Sequence, residues 1–533
     1  MKVTTEQVVD MYQRQGGNVQ ATAKELGVGR ASIYHHLKKA GIDRTKKLAS
    51  GTVSGIEAVP VKLPKRGKIK RYILTSAQNN THVHGPVWDN LMALANHYDA
   101  QVMVGTFTYN QNAYGKMSVK RGTAKGTDDR LWYDPKVVPF IVDERHQLAP
   151  HLQWCGEMNI LPTAVNPLAG FETYTARDSS IFPQVKFAMR SIPSGRYEGT
   201  KFTYTTGTVT KRNYIQKREG LKAEFHHCYG GLLVEVDDAG NWWVRQLNAT
   251  EEGVIYDLDL CVEDQKVRTH DGIEAVTWGD THCLLLDEAV HTCSQKMLDD
   301  LTPSKQFVHD VMAGAVTSHW SSKCLHTRFR NFVKSGGWND LTKEIQGCVE
   351  FLKSINRQYC DTYVVDSNHD RTWMEKWLGR DGREDPKNAL LWFDLNAAFY
   401  RAIQADPHSR DFHVVEHAFQ LQGLDPMDAI FLRPDQSMLI TPAEIECGMH
   451  GNLGPNGARG SANNLSKMAR KANIGHTHQA GIYNGVYVCG VSCETDTDSW
   501  YMMGPSSWSH SHIVTYPNGK RTIVTIWKGK YRA

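Results

Sequence analysis

The sequence predicts an α/β protein with a small all-α front, and three observations carry that reading. Residues 16–42, GGNVQATAKELGVGRASIYHHLKKAGI, space their apolar side chains for two short helices around a Gly-Val-Gly turn. The stretch GGLLVEVDDAGNWWVRQL alternates apolar and polar residues on both sides of a turn, the pattern of a β-hairpin. Residues 361–370, DTYVVDSNHD, run from Tyr363-Val364-Val365 into Asp366-Ser367-Asn368-His369-Asp370, a buried strand ending in a polar loop. At 533 residues the chain exceeds one ordinary core, so about two to four units are expected.

The front is predicted to fold as a unit over residues 1–43. Thr5 to Gln15 has the spacing of a short helix, and Asn18 can cap a second that carries Ala21, Ala23 and Leu26. Gly27-Val28-Gly29 makes the turn, and Arg30 to Ala40 forms a third helix with Ile33 and Leu37 facing inward. Small inward residues, a glycine turn and a polar, basic last helix match a helix-turn-helix. The segment resembles the small helix-turn-helix domains of Fis-like regulators and transposases. That resemblance implies that Arg30, Ser32, Tyr34, His35 and Lys38 face a DNA groove or its phosphates. A helical hairpin used for protein contacts is the plainer alternative.

Charge agrees with a polyanion-binding arm. Residues 1–70 hold 14 Lys/Arg against 5 Asp/Glu, a balance of +9 within a chain of +4, so the remainder carries −5. Residues 44–70, with Lys46, Lys47, Lys65, Arg66, Lys68 and Lys70 among Gly, Ser and Pro, read as a flexible basic linker. Hydrophobic residues make up 41% and charged residues 22%, ordinary for a soluble globular chain. No run of about 18 apolar residues predicts a membrane span, and MKVTTEQVVDMYQRQ has no signal-peptide character. The eleven cysteines are scattered, with only a CxxxC at Cys489 and Cys493, so a reducing cytoplasm without disulfides or zinc knuckles is expected.

Residues 71–265 read as a mixed α/β accessory domain. RYILTSAQNN and QVMVGTFTY are strands flanking the amphipathic helix WDNLMALANHYDA, and β-hairpins follow. His82 and His84, and the His226-His227-Cys228 cluster, are expected to be hydrogen-bonded structural side chains.

From residue 266 to the end the pattern changes. The strand Ile273 to Trp278 ends in Gly279-Asp280-Thr281-His282, KQFVHDVMAG places Asp310 after an apolar stretch, and VVDSNHD follows. ECGMHGNLG then presents His450, and KANIGHTHQAG presents His476 and His478. DxH and HxH at strand ends send two side chains to one side, because alternate residues share a face. Imidazole and oxygen donors together suit divalent ions such as Mn, Fe, Ni or Zn, and one carboxylate can bridge two ions about 3.5–4 Å apart. Burying this many ionisable groups without a metal would be costly.

In chain order, the five clusters resemble the calcineurin-like metallophosphoesterase superfamily, with its DxH, GD, GNH(D/E), lone His and GHxH motifs, across residues 266–500. The resemblance implies a β-sandwich flanked by helices and a centre of two divalent ions, manganese foremost, with Fe, Zn, Ni or Mg as alternatives. By it, Asp280, His282, Asp310 and His478 hold the first ion, with Asp310 bridging, while Asn368, His450 and His476 complete the second. His369 would protonate the leaving oxygen and Asp370 would orient it. Two positions depart from the pattern: His309 and Ser367 stand where the family has glycine.

Three further features complete the reading. His413-Val414-Val415-Glu416-His417 spells HxxEH, a zinc-protease pattern without a third ligand of its own. The loop HGNLGPNGARGSANN offers backbone N–H groups and Arg459 to phosphate oxygens. HIVTYPNGKRTIVTI is a hairpin with Asn518-Gly519 at its turn. The expected function is a metal-dependent phosphodiesterase acting on DNA, with no membrane partner and room for a homo-oligomer. The layout is similar to large phage-encoded metallophosphoesterases, some of which degrade host DNA, which implies action in the host cytoplasm. The alternatives are a phosphatase acting on phosphoprotein or nucleotide monoesters, and a DNA-binding regulator with an inactive metal domain.

Overall fold

The computed structural model describes residues 3–15, 19–40, 57–109, 132–195, 198–318, 339–408, 411–495 and 504–533. It divides into two compact units, Met1–Ile56 with Tyr174–Ala176, and Glu57–Thr173 with Arg177–Ala533.

The first unit contains α1 (Thr5–Arg14), α2 (Val19–Glu25) and α3 (Arg30–Lys39). Val8, Val19, Ala23, Ile33 and Leu37 form its core, the small residues of α2 letting the helices approach. Gly27 takes a φ of +62° in the turn, where a side chain would be strained. Arg30, Tyr34, His35 and Lys38 are exposed on α3 and Ser32 is half-buried. Asn18, Lys46 and Lys47 lie outside the described residues.

The second unit is mixed α/β. One sheet has six strands in the order Ile430–Phe431, Asp361–Val364, Lys305–Val308, Ala275–Thr277, Ser511–Thr515 and Arg521–Thr525. Its first four strands are parallel and joined by helical crossovers, including Glu288–Leu301 and Leu341–Ile355. The last two form the expected hairpin, with Gly519 at φ +75°. Alternation sorts the side chains. Val276, Val308 and Val364 pack with the crossover helices, while Ala275, Phe307 and Tyr363 pack on the other face with Ile440 and Ile445.

That other face meets a ten-stranded sheet, and here the structure corrects two expected boundaries. The sheet runs from Leu439–Ile440 through Ala472–Ile474, Val486–Val488 and Gly481–Tyr483 to Met189–Ile192, Lys201–Thr205 and onward to Arg145–Ala149. Ile482 pairs with Met189 and Gly481 with Arg190, so residues on both sides of position 265 build one continuous sheet. Interstrand hydrogen bonding across the junction makes 71–265 a part of the same body, not an accessory domain. The second boundary is the linker. Its C-terminal part is tied down, since Val59 N–H donates to Arg145 O (2.8 Å) and Gly67 N–H donates to Asp238 Oδ2 (2.6 Å).

A third, four-stranded sheet pairs Lys70–Gln78 parallel to Gln101–Phe107 and antiparallel to Gly230–Val236, which continues into Trp242–Asn248 as the predicted hairpin. The described cysteines are free. Among the described residues no helix is long and apolar enough to cross a membrane.

Candidate metal centre

Three parallel strands of the six-stranded sheet end at the same edge, and each hands its next residues to the site. Asp280 and His282 follow Ala275–Thr277, His309 and Asp310 follow Lys305–Val308, and Asn368 to Asp370 follow Asp361–Val364. Ligands gather beyond the carboxyl ends of strands in such sheets. The neighbouring ten-stranded sheet supplies His450 after Ile445–Glu446, and His476 and His478 after Ala472–Ile474. The polar run after Tyr363-Val364-Val365 is therefore one wall of a shared site, not a solvated turn.

Three groups of these side chains have ligand atoms within 4.8 Å of one another: Asp280, His282, Asp310 and His478; Asp310, His450 and His476; and Asp280, His309 and His450. Asp280, Asp310 and His450 each belong to two of them. All but the half-buried His476 are buried. His478 Nε2 lies 3.0 Å from Asp280 Oδ2 and 3.2 Å from His282 Nε2. His282 Nδ1 sits 3.2 Å from the Met312 carbonyl, which can only accept, so Nδ1 carries the hydrogen and Nε2 presents a lone pair to the cluster. His450 Nε2 is 3.1 Å from Asp310 Oδ2.

The residues fit a metal ion on a direct test. Asp280 Oδ1 and Asn368 Oδ1 are buried acceptors without a hydrogen-bond partner. Orphans of this kind are costly to bury, and two in one pocket call for a common cationic partner. Backbone strain points the same way: His282, Asp310, His476 and His478 all have φ between +42° and +71°. Burial alone would raise the Asp280 carboxyl, but His450 and His478 bring it down to about 2. Burial also pushes up at Asp310, but His450 and His369 hold its carboxyl well below the usual carboxylate range. Burial lowers His282 to about 3 and His476 to about 4, leaving both as neutral donors.

Glycine matters at one point of close approach. A Cβ on Gly475 would fall 2.2 Å from Asp280 Oδ1 and 3.2 Å from His309 Cγ. Ser367 shows the opposite case. Its φ of −137° is extended backbone that any residue adopts, and its hydroxyl donates to Asp370 Oδ2 (2.9 Å).

His369 lies in a π-helical segment, Asn368–Thr372, a geometry common at functional positions. Its backbone N–H donates to Asp310 Oδ1 (3.1 Å), its Nδ1 is 3.3 Å from the Ala313 carbonyl, and its Nε2 is 3.9 Å from Asp310 Oδ2. The ring packs on Trp373 at 3.7 Å between centroids.

Asp370 corrects an expectation. Its carboxylate does not reach His369; it accepts from Met312 N–H (2.7 Å), Val311 N–H (3.1 Å) and Ser367 Oγ. It therefore holds the loop that follows Asp310, because those N–H groups are buried and need an acceptor. Arg459 is exposed, on a loop where Leu453 and Arg459 form an isolated bridge, and no contact ties it to the cluster.

HxxEH is a structural feature. His413 caps the helix Val414–Leu421 by accepting from Glu416 N–H, Glu416 pairs with Arg433, and His417 packs on Phe412. The histidines of the middle region also have structural partners: His82 with Asp134, His84 with Val87 N–H, and His227 with Tyr214. Among the described residues, none of these forms a metal-holding group.

Sequence reasoning missed His512 and Trp373. His512 Nδ1 accepts from Gly279 N–H (2.8 Å), so its Nε2–H donates to Ser294 Oγ (2.7 Å), which donates to Val290 O (2.7 Å). This buried relay holds the peptide just before Asp280. The signal available was a lone histidine in the apolar strand SHIVT, where a buried imidazole needs partners.

Sheet ends, orphaned acceptors and shared carboxylates together define a protein with a buried His/Asp cluster able to hold a metal ion. The comparisons place it further. The chain is 36% identical to "Protein A1" of Escherichia phage T5 over 483 residues, covering 87% of this chain and 83% of that protein. The chain belongs to this phage protein family. No family profile matches it, and no solved structure does.

Proposed function

We propose that the chain is a metal-dependent phosphodiesterase, a phage DNA nuclease, built on a calcineurin-like metallophosphoesterase fold whose motifs lie within residues 266–500. The observation that carries this reading is the membership of Asp310 in two of the ligand groups, one with Asp280, His282 and His478 and the other with His450 and His476. One carboxylate shared between two ligand sets is the arrangement two-metal phosphoesterases use.

Asp280, His282, Asp310 and His478 would hold one ion, and Asp310, Asn368, His450 and His476 the other. When bound, the ions supply Lewis acidity to water and to the phosphoryl oxygens. The chain's own part falls to His369. Because the Ala313 carbonyl can only accept, Nδ1 keeps its hydrogen and Nε2 is the atom that carries a proton to the leaving oxygen. The π-helical turn and the Trp373 ring limit its rotation. DNA as substrate is supported by the exposed basic face of α3, and the phage relative supports action in the host cytoplasm.

The test uses the full chain, with Mn or with a chelator, against plasmid DNA, bis-para-nitrophenyl phosphate and para-nitrophenyl phosphate. Manganese-dependent cleavage of plasmid and diester is expected. Turnover of the monoester alone would replace the nuclease reading with the phosphatase one, and no turnover of any substrate would leave a DNA-binding regulator.

A further inference from the structure

His309 occupies the position where the metallophosphoesterase pattern has glycine, and its side chain enters the ligand cluster. Its Nδ1 lies 3.3 Å from His450 Nδ1, and both rings are buried. Two nitrogens at that distance share one hydrogen, so one ring donates and the other accepts. The far side of His450 decides the direction. His450 Nε2 stands 3.1 Å from Asp310 Oδ2, on the side of the ring that faces the ligand cluster. An imidazole that ligates through Nε2 must present a lone pair there, so its hydrogen sits on Nδ1 and needs a buried acceptor.

We propose that His309 is a positioning residue for the second metal site: it accepts the Nδ1–H of His450 and so turns the His450 Nε2 lone pair toward the ion. Adjacent residues at one strand end thus address both nitrogens of the same ring, Asp310 at Nε2 and His309 at Nδ1. Metal-ligating histidines ordinarily donate to a carboxylate, a carbonyl or water. Here a second imidazole takes that place, which a glycine at position 309 could not do. The inference rests on the metal-centre reading and is independent of which phosphoester is cleaved.

Three full-length variants test it, with manganese binding followed by calorimetry and by the exchange-coupled spectrum of paired Mn(II). His309→Asn keeps an acceptor close to the Nδ1 position. His309→Leu keeps bulk without an acceptor, and His309→Gly removes both, so the test survives if the leucine variant does not fold. Loss of a partner of this kind typically weakens metal affinity about 10–100-fold. The leucine and glycine variants should lose about that much at the second equivalent, lose the coupled spectrum and keep the first equivalent. The asparagine variant should stay within about threefold of the parent at both equivalents. Parental binding of both equivalents by the leucine or glycine variant overturns the proposal. So does an asparagine variant that fails like leucine, since His309 would then act as a direct ligand. A parent that binds two ions but hydrolyses nothing would sink the phosphodiesterase reading and leave this one standing.

Discussion

Replacing Gly475 by alanine would place a methyl carbon 2.2 Å from Asp280 Oδ1, where ordinary contact begins at 3.4 Å. The carboxylate would have to retreat by roughly 1 Å. Its freedom to do so is small, because Oδ2 is held by His476 N–H at 2.8 Å and by His478 Nε2 at 3.0 Å. Gly475 is not among the glycines with positive φ, so the backbone itself accepts alanine and the perturbation is steric. Overpacking of this kind costs about 1–3 kcal/mol of stability. A ligand displaced by about 1 Å costs on the order of 10²-fold in turnover, or about 2.7 kcal/mol of transition-state stabilisation. The assay is manganese titration by calorimetry beside bis-para-nitrophenyl phosphate turnover, with far-UV circular dichroism to show that the variant folds. Weakened metal binding and a turnover loss near two decades are expected. A folded Gly475→Ala protein with parental affinity and turnover would refute the placement of Asp280 in the centre.

Four other outcomes follow from the same geometry. His369→Ala should keep both metals and lose about 10²–10⁴-fold in turnover, since it removes a proton carrier and not a ligand; metal analysis that finds an ion missing would overturn that role. Asp310→Asn should weaken both metals together, and calorimetry showing one site intact would move the bridge elsewhere. Removing residues 1–56, which hold 9 Lys/Arg against 4 Asp/Glu, should weaken DNA binding and flatten its salt dependence, whose slope is about 0.9 per phosphate contact, while small-diester turnover is retained. An unchanged salt slope would deny the arm a role in DNA binding. Finally, burial lowers His450 but Asp310 and Asp280 raise it to about 9, so an incoming ion must displace its proton and binding strengthens as pH rises. Manganese affinity should climb by up to about tenfold per pH unit from pH 7 until His450 is neutral, and a flat profile would contradict that account.

The motifs that converge on the cluster were legible because each is local. Gly279-Asp280-Thr281-His282, Asn368-His369-Asp370 and Gly475-His476-Thr477-His478 each join one strand to the loop that carries its ligands, and order along the chain is enough to see them. What acts across elements was not legible. His512 supports Gly279 from 233 positions away, and His309 meets His450 across 141 positions. No local spacing encodes such pairs. Asp370 was misassigned for the same reason, since its partners Val311 and Met312 belong to another strand end. The expected boundary near 265 failed because strand composition shows that a segment is extended and does not show which edge it will join.

The seam between Met189–Ile192 and Gly481–Tyr483 also sets an order of events during synthesis. The earlier strand must wait for a partner whose central residue, Ile482, lies about 290 positions beyond Met189. At about 5–20 residues per second, the ribosome needs about 15–60 s to deliver it. His476 and His478 emerge in the same late stretch, just before that strand. The buried His/Asp cluster is therefore incomplete on every nascent chain that stops short of residue 478. The strand that closes the seam and the last residues of the cluster arrive together, so a chain released before them has neither.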